Sequence, residues 1–191
     1  MKSQILKILF LLSIVMLSSC EEDDKRVTFI GDSIVARWDL EVSFPSYVVE
    51  NKGVSGSGIA SFENYAHKFL GEDIVVIIGT NDLGRIADET MASYAQEYVQ
   101  QIIATDAHMI YLYSILPRNF ESDANDINEK IQTLNALIKK EAEGYANIVY
   151  IDAFSRFIND DKIEKQYSYD GLHLSPYGYE ILSELLISNL K

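Results

Sequence analysis

The sequence predicts a single doubly wound α/β domain, in which helices cover both faces of one parallel sheet. Its short apolar runs are rich in Val, Ile and Tyr and are continuous rather than alternating, which is typical of strands buried on both faces. Segments with apolar residues at helical spacing lie between these runs, and no linker or internal repeat divides the chain. The 191 residues, 48% of them hydrophobic, are enough for one such domain with a sizeable core.

The first twenty residues have the pattern of an export signal. Lys2 and Lys7 precede an apolar run from Ile8 to Leu17. This run is too short to span a bilayer, because spanning takes roughly 20 apolar residues. It ends in Leu17-Ser-Ser-Cys20, which resembles the lipobox of bacterial lipoproteins. That resemblance implies a signal peptide of residues 1–19 and a lipid on Cys20. An ordinary secretory peptide with an incidental cysteine is the alternative.

Residues 20–26 are predicted to be the lipidated cysteine and an acidic tether, followed by the domain of residues 27–191. The run Glu21-Glu-Asp-Asp24 resembles the surface-export signals of some Gram-negative lipoproteins, and a plain charged spacer is the alternative. We therefore expect the protein in the bacterial cell envelope, lipid-anchored at the outer membrane and facing the periplasm or the cell surface. Cys20 is the only cysteine in the sequence, which excludes an intrachain disulfide.

Five strands and the helices between them are predicted in chain order. The strand runs are Val27–Ile30, Tyr47–Val49, Ile74–Ile78, Met109–Tyr113 and Ile148–Ile151. The helical faces are Ile59, Phe62, Ala66 and Phe69; Met91, Ala95, Tyr98 and Ile102; and Ile127, Ile131, Leu134 and Ile138. A helix-like segment, Ile34–Trp38, follows the first strand, and the last helix begins at Ser175-Pro176, a cap followed by a proline in the first turn.

Polar residues lie in the loops that follow four of these strands. Ligands of parallel α/β sheets bind at the carboxyl ends of the strands, so these loops share one rim of the sheet. They contain Gly31-Asp32-Ser33, Asn51–Gly58, Gly79–Asp82 and Asp170–His173. The sequence therefore predicts one site that is assembled from four separate loops.

The four loops contain the groups that nucleophilic acyl transfer needs. Ser33 lies where a strand ends and a helix begins, and its hydroxyl needs a base to take its proton. His173 is the predicted base, and Asp170 is predicted to fix its tautomer and stabilise the imidazolium. The predicted donors to the oxyanion are the Ser33 N–H, the Gly53 N–H and the Asn81 side-chain amide. Gly53 could instead serve only the turn, and Asn81 could cap the helix that follows.

These blocks resemble those of the SGNH, or GDSL-type, hydrolase family. The matching residues are Ser33 in Gly-Asp-Ser, Gly53, Asn81 in Gly-Thr-Asn-Asp, and the pair Asp170 and His173, in the family's order along nearly the whole mature chain. The resemblance implies a flavodoxin-like three-layer sandwich whose five-stranded parallel sheet has the order 2-1-3-4-5. It also implies esterase or related acyl-hydrolase activity without a cofactor or metal, and it leaves the substrate unnamed.

Residues near the predicted site favour a small ester on a sugar as the substrate. The candidates for lining the substrate site are Asp32, Arg85, Arg118, Tyr167 and Tyr169. No insertion is large enough to form a lid over a long acyl chain, so we expect a serine esterase that removes small acyl groups, acetyl above all, from carbohydrates. The formal net charge of −13 argues against nucleic acid as a partner.

Other interpretations are open at the level of sequence. A lysophospholipase or thioesterase would apply the same groups to a longer acyl chain, and a glycan-binding surface lipoprotein would keep the fold with an inactive site. A metal-dependent phosphoesterase would use Asp32, Asn81, Asp82, Asp170 and His173. Such sites usually draw on several histidines, whereas the rim has one. The alternative role for Asp32 and Asp82 is to brace loops, and His67 and His108 are expected to be structural or exposed.

Overall fold

Five parallel strands form the central sheet of the protein, whose computed structural model describes residues 26–190. The strand order is β2-β1-β3-β4-β5, as the sequence resemblance implies. The strands are β1 Arg26–Gly31, β2 Val48–Gly53, β3 Asp73–Ile77, β4 Met109–Tyr113 and β5 Ile148–Ile151. β2 continues four residues beyond its predicted end because all six of its residues pair in register with β1. It lies at the edge of the sheet, where the polar run Glu50-Asn-Lys52 is not forced into a core.

Successive residues of each strand belong to two cores on opposite faces of the sheet. Ile74 and Val76 of β3 pack in the core that also holds Leu134, here called core A. Val75 and Ile77 pack in the core that holds Trp38 and Leu182, here called core B. Burial on both faces explains why these strands have no polar alternation in their sequence.

The helices cover both faces of the sheet. They are α1 Ser33–Ala36, α2 Leu40–Ser43, α3 Met91–Ile103, α4 Ile127–Ala142, α5 Phe154–Phe157 and α6 Pro176–Ile187. The predicted helical segments 91–102 and 127–138 are therefore confirmed, each with a few further residues. The predicted start of α6 is also confirmed, since the Ser175 hydroxyl accepts a hydrogen bond from the Gly178 N–H at 3.2 Å.

The helix predicted over residues 59–69 is instead a shorter 3-10 helix, Ile59–Tyr65. It ends because Ala66 takes an extended conformation with ψ of 128° and His67 has a φ of 58°. Phe69 nevertheless reaches the core beyond the turn. The spacing of Ile59 and Phe62 occurs in both kinds of helix, so the apolar pattern did not distinguish them.

The remaining elements are short. Leu83–Arg85 and Asp88–Thr90 are single 3-10 turns, and β6 Ile158–Asn159 pairs with β7 Lys162–Ile163 as a small antiparallel ribbon. None was predicted, because elements of two or three residues leave no apolar period. In the part of the chain that the structure describes, no helix is long and apolar enough to cross a membrane. The predicted signal peptide, Cys20 and the tether up to residue 25 lie outside the described residues.

Candidate active site

Ser33, His173 and Asp170 form one hydrogen-bonded chain at the carboxyl edge of the sheet. Ser33 is the first residue of α1, directly after β1, and its Oγ lies 3.2 Å from His173 Nε2. His173 Nδ1 lies 2.7 Å from Asp170 Oδ2. In the neutral tautomer with its proton on Nδ1, the imidazole donates to Asp170 and accepts from the serine hydroxyl. This is the arrangement that a nucleophile and its general base require.

The loop before α6 fixes the positions of Asp170 and His173. Asp170 Oδ1 accepts hydrogen bonds from the backbone N–H groups of His173 at 2.7 Å and Leu172 at 3.0 Å. The His173 carbonyl accepts from the Ser168 hydroxyl at 2.8 Å and from the Tyr169 N–H at 3.0 Å. Partial burial by itself raises the pKa of Asp170, but the hydrogen bonds from His173 and Leu172 lower it to about 2. Asp170 is therefore ionised at neutral pH and stabilises an imidazolium.

Asp32 lies beneath the nucleophile, where it braces the catalytic turn and also borders a small recess. It is 1% exposed, and its Oδ1 accepts a hydrogen bond from the Ile34 N–H at 2.9 Å. This bond caps α1 and holds the turn that presents Ser33, which is the alternative, loop-bracing role. Burial raises the pKa of Asp32 to about 6, although the Ile34 N–H and the charge of His173 both lower it.

We expect the free energy of unfolding to depend on pH through Asp32. Its folded-state pKa lies above the ordinary value of 3.8, so its ionised form destabilises the folded protein. The stability that protonated Asp32 contributes to the folded protein is fully present below about pH 4 and is lost as the pH rises through 6. The stability of Asp32→Asn relative to wild type should therefore increase between pH 4 and 7, by up to about 3 kcal/mol.

Urea unfolding of both proteins at pH 4, 5.5 and 7 measures this difference. The matched control is Asp39→Asn, because Asp39 also caps a helix, accepting from the Val42 N–H at 3.3 Å, but is exposed. A stability difference for Asp32→Asn that is constant across this pH range would show that Asp32 titrates as an ordinary carboxyl.

Two of the three predicted oxyanion donors remain available at the site. As the first residue of α1, Ser33 has a backbone N–H without an acceptor inside its own helix. Asn81 follows β3, and one N–H of its side-chain amide donates to the Ser57 carbonyl at 2.8 Å. That bond fixes the orientation of the amide and leaves its second N–H for a ligand.

The structure corrects the prediction that the Gly53 N–H is the third oxyanion donor. Its N–H donates to Asn51 Oδ1 at 2.9 Å, and a side chain at this position would place its Cβ 2.2 Å from the Ala36 N atom. Gly53 is therefore needed for the close approach of β2 to α1, and its N–H is already bonded.

Gly56 is the better-placed candidate donor in the same loop. It lies in the turn of residues 54–57, which is closed by a hydrogen bond of 3.0 Å from the Ser57 N–H to the Val54 carbonyl. Its φ is +83°, and the space where a Cβ would stand is open. The Asn81 side-chain amide donates to the carbonyl of Ser57, the residue after Gly56. This turn therefore lies beside the amide that is predicted to bind the oxyanion. The available sequence signal was the second glycine of the run Gly53-Val-Ser-Gly56, which the sequence alone could not rank above the first.

Removal of the Asn81 amide should lower kcat by roughly 10²–10³, the usual cost of losing one oxyanion donor. The test is Asn81→Ala with steady-state kinetics on a small acetyl ester. Asn64→Ala is the matched control, since the exposed Asn64 amide also donates to a serine carbonyl, that of Ser61, at 3.2 Å. A change in KM alone would assign Asn81 to substrate binding instead.

Asp82 and Arg85 stabilise the loop after β3. Asp82 Oδ2 accepts from the Ile59 N–H and the Tyr94 hydroxyl, each at 2.8 Å, which agrees with the alternative role of Asp82 as a loop brace. The side chain of Arg85 is 76% exposed and lies 3.6 Å from Asp82 Oδ1. Its predicted contact with substrate stays a prediction.

Arg118 lies at the catalytic rim, as predicted, and is rigidly held. Its Nη1 donates to the Thr80 carbonyl at 3.2 Å, and its other guanidinium nitrogens pair with Asp123. Its backbone is fixed by Asn128, whose amide oxygen accepts from the Arg118 N–H at 2.7 Å. A direct contact with substrate stays a prediction for this residue.

The two predicted tyrosines occupy different environments. Tyr167 is 8% exposed and packs between the rings of Phe157 and Tyr177, at centroid distances of 5.0 and 5.4 Å. It is therefore a core residue, and its assignment to the substrate site was wrong. Tyr169 is 73% exposed beside Asp170, so its ring is available to a ligand. Trp38, which the sequence left between packing and substrate contact, is 3% exposed and packs on Phe29 and Phe44.

Three concavities surround the catalytic residues. A recess of about 10 Å³ is lined by Asp32, Ile34, Ile77, Ile78, Thr80, Ile115, Leu116, Pro117, Arg118 and Leu172. A polar cleft of about 770 Å³ begins at Thr80 and Asn81 and runs between Asp88 and α4. An aromatic groove of about 820 Å³ lies between α2 and α6, with Trp38, Val42, Tyr169, Leu174, Tyr179 and Ile187 among its lining residues. The recess, the polar cleft and the aromatic groove keep these names below.

The geometry is the one that a serine acyl hydrolase requires. The serine, its base and the orienting carboxylate are within hydrogen-bond reach, and the donors for an oxyanion belong to the same rim. Residues 29–181 match the GDSL-like lipase/acylhydrolase family model. The chain therefore belongs to that family.

The chain is similar to curated proteins over most of its length. The chain is 28% identical over 176 residues to the N-acylneuraminate cytidylyltransferase of Escherichia coli O18:K1:H7, matching with 86% of its length. It spans only 40% of that relative. It is also 28% identical over 178 residues to the human platelet-activating factor acetylhydrolase IB subunit alpha2, covering 84% of this chain and 73% of the relative.

Solved structures share the fold along most of the chain. A GDSL-like lipase from Bacteroides thetaiotaomicron has a TM-score of 0.71 at 22% identity, with 95% of each chain covered. An acetyl xylan esterase from Geobacillus stearothermophilus has a TM-score of 0.62 at 17% identity, with 86% of this chain and 93% of that chain covered.

Proposed function

We propose that the protein is a serine esterase that removes acetyl groups from carbohydrates. The observation that carries the proposal is the recess, whose lining includes the sequence neighbours of three catalytic groups, Ile34, Thr80 and Leu172. A volume of about 10 Å³ is close to that of one water-sized probe, so the recess accommodates a methyl group and little more. Most of its lining residues are aliphatic, which suits the methyl of an acetyl group, and Asp32, Thr80 and Arg118 are the polar ones.

The reaction follows from the hydrogen-bonded chain. Ser33 Oγ attacks the ester carbonyl while its proton passes to His173 Nε2, and Asp170 stabilises the imidazolium. The tetrahedral oxyanion is bound by the Ser33 N–H and the Asn81 amide. As the intermediate collapses, His173 returns the proton to the leaving alcohol oxygen. A water molecule then attacks the acetyl-serine while its proton passes to His173. His173 returns that proton to Ser33 Oγ as acetate leaves.

A carbohydrate as the alcohol is supported by the polar cleft beside Asn81. Its lining includes hydroxyl, amide, guanidinium and carboxylate groups, which pair with sugar hydroxyls. Among the similar proteins, one is named an acetylhydrolase and another an acetyl xylan esterase, and this supports the acetyl group and the glycan, respectively.

Acyl-chain selectivity tests this proposal. On p-nitrophenyl esters, kcat/KM should fall by about tenfold or more from acetate to butyrate, because added methylenes exceed the recess. Equal activity on butyrate and octanoate would favour a lysophospholipase or thioesterase. Failure to hydrolyse any ester by correctly folded protein would favour the glycan-binding alternative.

The proposal includes lipidation of Cys20 and a place in the bacterial cell envelope. Cys20→Ser should move the protein from the membrane fraction to the soluble fraction and abolish its labelling by radioactive palmitate. The specific activity should not change, because residues 26–190 contain the catalytic groups. Wild-type protein expressed in parallel is the reference. Continued labelling and membrane partition of the variant would exclude the lipobox assignment.

A further inference from the structure

The polar cleft and the aromatic groove lie on opposite faces of the sheet. The polar cleft is lined by Leu83 and Met91, which belong to core A. The aromatic groove is lined by Trp38 and Leu174, which belong to core B. Each also includes the direct neighbour of a site residue, since the cleft contains Asn81 and the groove contains Tyr169, next to Asp170. The two concavities therefore lie on either side of the rim that carries the catalytic serine.

The walls of the aromatic groove are fixed by hydrogen bonds. The Trp38 indole N–H donates to the Ser43 hydroxyl at 2.9 Å, and the Tyr179 hydroxyl donates to the Ile34 carbonyl at 2.8 Å. The two rings lie 5.7 Å apart between centroids. A surface held in this way loses little conformational entropy when a ligand binds. A volume of about 820 Å³ is within the range of sites that bury most of a small ligand.

The chemistry of the groove suits sugar rings. Tyr169, Val42 and Ile187 are 73%, 75% and 54% exposed, so apolar faces are presented to solvent on both sides of it. Such faces pack against the C–H faces of sugars. Charged groups at the rim, including Arg37 and Glu180, can bind the hydroxyls. A purely alkyl ligand would leave these rim groups without a role.

The charge of the protein restricts which glycan can bind. The chain has a net charge of −13, and carboxylates outnumber basic groups in both concavities, four to two in the polar cleft and three to one in the groove. A polyanionic glycan would therefore meet net repulsion in each. Neutral sugars avoid this repulsion and can donate hydroxyl hydrogens to the carboxylates.

We propose that the polar cleft and the aromatic groove are flanking subsites for one neutral glycan chain, so that Ser33 removes an acetyl group from an interior sugar residue. This proposal rests on the proposed esterase function and extends it from a small acetylated sugar to an oligosaccharide or polysaccharide. It assigns substrate binding to α2 and α6, which contain none of the catalytic groups.

Chain length is the variable that tests the inference. The probes are neutral xylo-oligosaccharides of three to six units, each with a single acetyl group on an interior residue, and p-nitrophenyl acetate as a substrate that reaches only the catalytic centre. We expect kcat/KM on the oligosaccharides to rise by about tenfold with length, mainly through a lower KM, because remote contacts add binding energy.

The double variant Val42→Ser/Ile187→Ser removes two of the three exposed apolar faces of the groove without touching a core, and it leaves Tyr169, the neighbour of Asp170, in place. It should abolish most of the rise with length and leave kcat/KM on p-nitrophenyl acetate unchanged. The matched control is Leu70→Ser, because Leu70 is 83% exposed in the loop that precedes β3. This loop lies at the amino ends of the strands, away from the catalytic rim. The control should retain the full length dependence.

Each contrary outcome has a distinct meaning. No rise with chain length, or a rise that survives in the double variant, overturns the flanking subsites. A rise instead with the alkyl length of acetate esters, lost in the double variant, assigns the groove to an apolar chain and overturns the glycan. Absence of activity on p-nitrophenyl acetate refutes the proposed esterase function itself.

Discussion

Ser33→Ala should fold as the wild-type protein does and lose esterase activity by several orders of magnitude. The hydroxyl is the atom that forms the covalent intermediate, and its Oγ is within 3.2 Å of the base. The Ser33 side chain is small and buried beside the base, so its truncation removes chemistry without opening a large cavity. Single-turnover and steady-state assays on p-nitrophenyl acetate measure the loss, and circular dichroism checks the fold.

Ser46→Ala is the matched control, because Ser46 is an exposed serine in the segment before β2. It should retain wild-type activity. Retention by Ser33→Ala of more than about a tenth of the wild-type rate would refute the serine mechanism, since loss of a nucleophile costs far more than tenfold.

His173→Ala should produce the second large loss, because it removes the group that accepts the serine proton. Asp170→Asn should lower kcat in the same direction by a smaller factor. The amide keeps the shape of the carboxylate but can hold the wrong tautomer and cannot stabilise the imidazolium. Both variants should be measured across pH on one acetyl ester.

A second histidine–aspartate pair provides the controls. His108 Nδ1 lies 2.8 Å from Asp73 Oδ1 at the opposite edge of the sheet, where β3 and β4 begin. His108→Ala and Asp73→Asn break an equivalent contact and should leave the kinetics unchanged. If His173→Ala keeps the wild-type pH profile, another group is the base.

The sequence alone was sufficient to locate the site residues whose position depends on strand order. Ser33, Asn81 and His173 all follow strands or precede α6, so the order of a parallel sheet brings their loops to one edge. The apolar runs located all five strands, and burial on both faces gives β1, β3 and β4 a continuous signal. The discrepancy at β2 arose at the sheet edge, where polar residues pair as well as apolar ones.

The sequence was not sufficient where a role depends on a partner distant in the chain. Whether the Gly53 N–H is free depends on the orientation of the Asn51 amide. Tyr167 and Tyr169 belong to one short loop, and only the positions of Phe157 and Tyr177 determine that the first is buried. Asp32 likewise takes its role as a helix cap from the Ile34 N–H, which turns back towards it.

The direction of β1 also relates the catalytic rim to the proposed membrane anchor. β1 begins at Arg26, at the end of the sheet away from the catalytic rim, and its six residues cover about 20 Å before the chain reaches Ser33. Cys20 precedes Arg26 by six residues, which extend over at most about 21 Å. To place Ser33 on its own bilayer, this tether would have to run back along the full strand and also pass a helix layer about 10 Å thick, which exceeds its length. A lipid on Cys20 would therefore hold the catalytic rim turned outward. The esterase would then act on material that approaches from the aqueous side, and the acyl lipids of its own leaflet would lie beyond its reach.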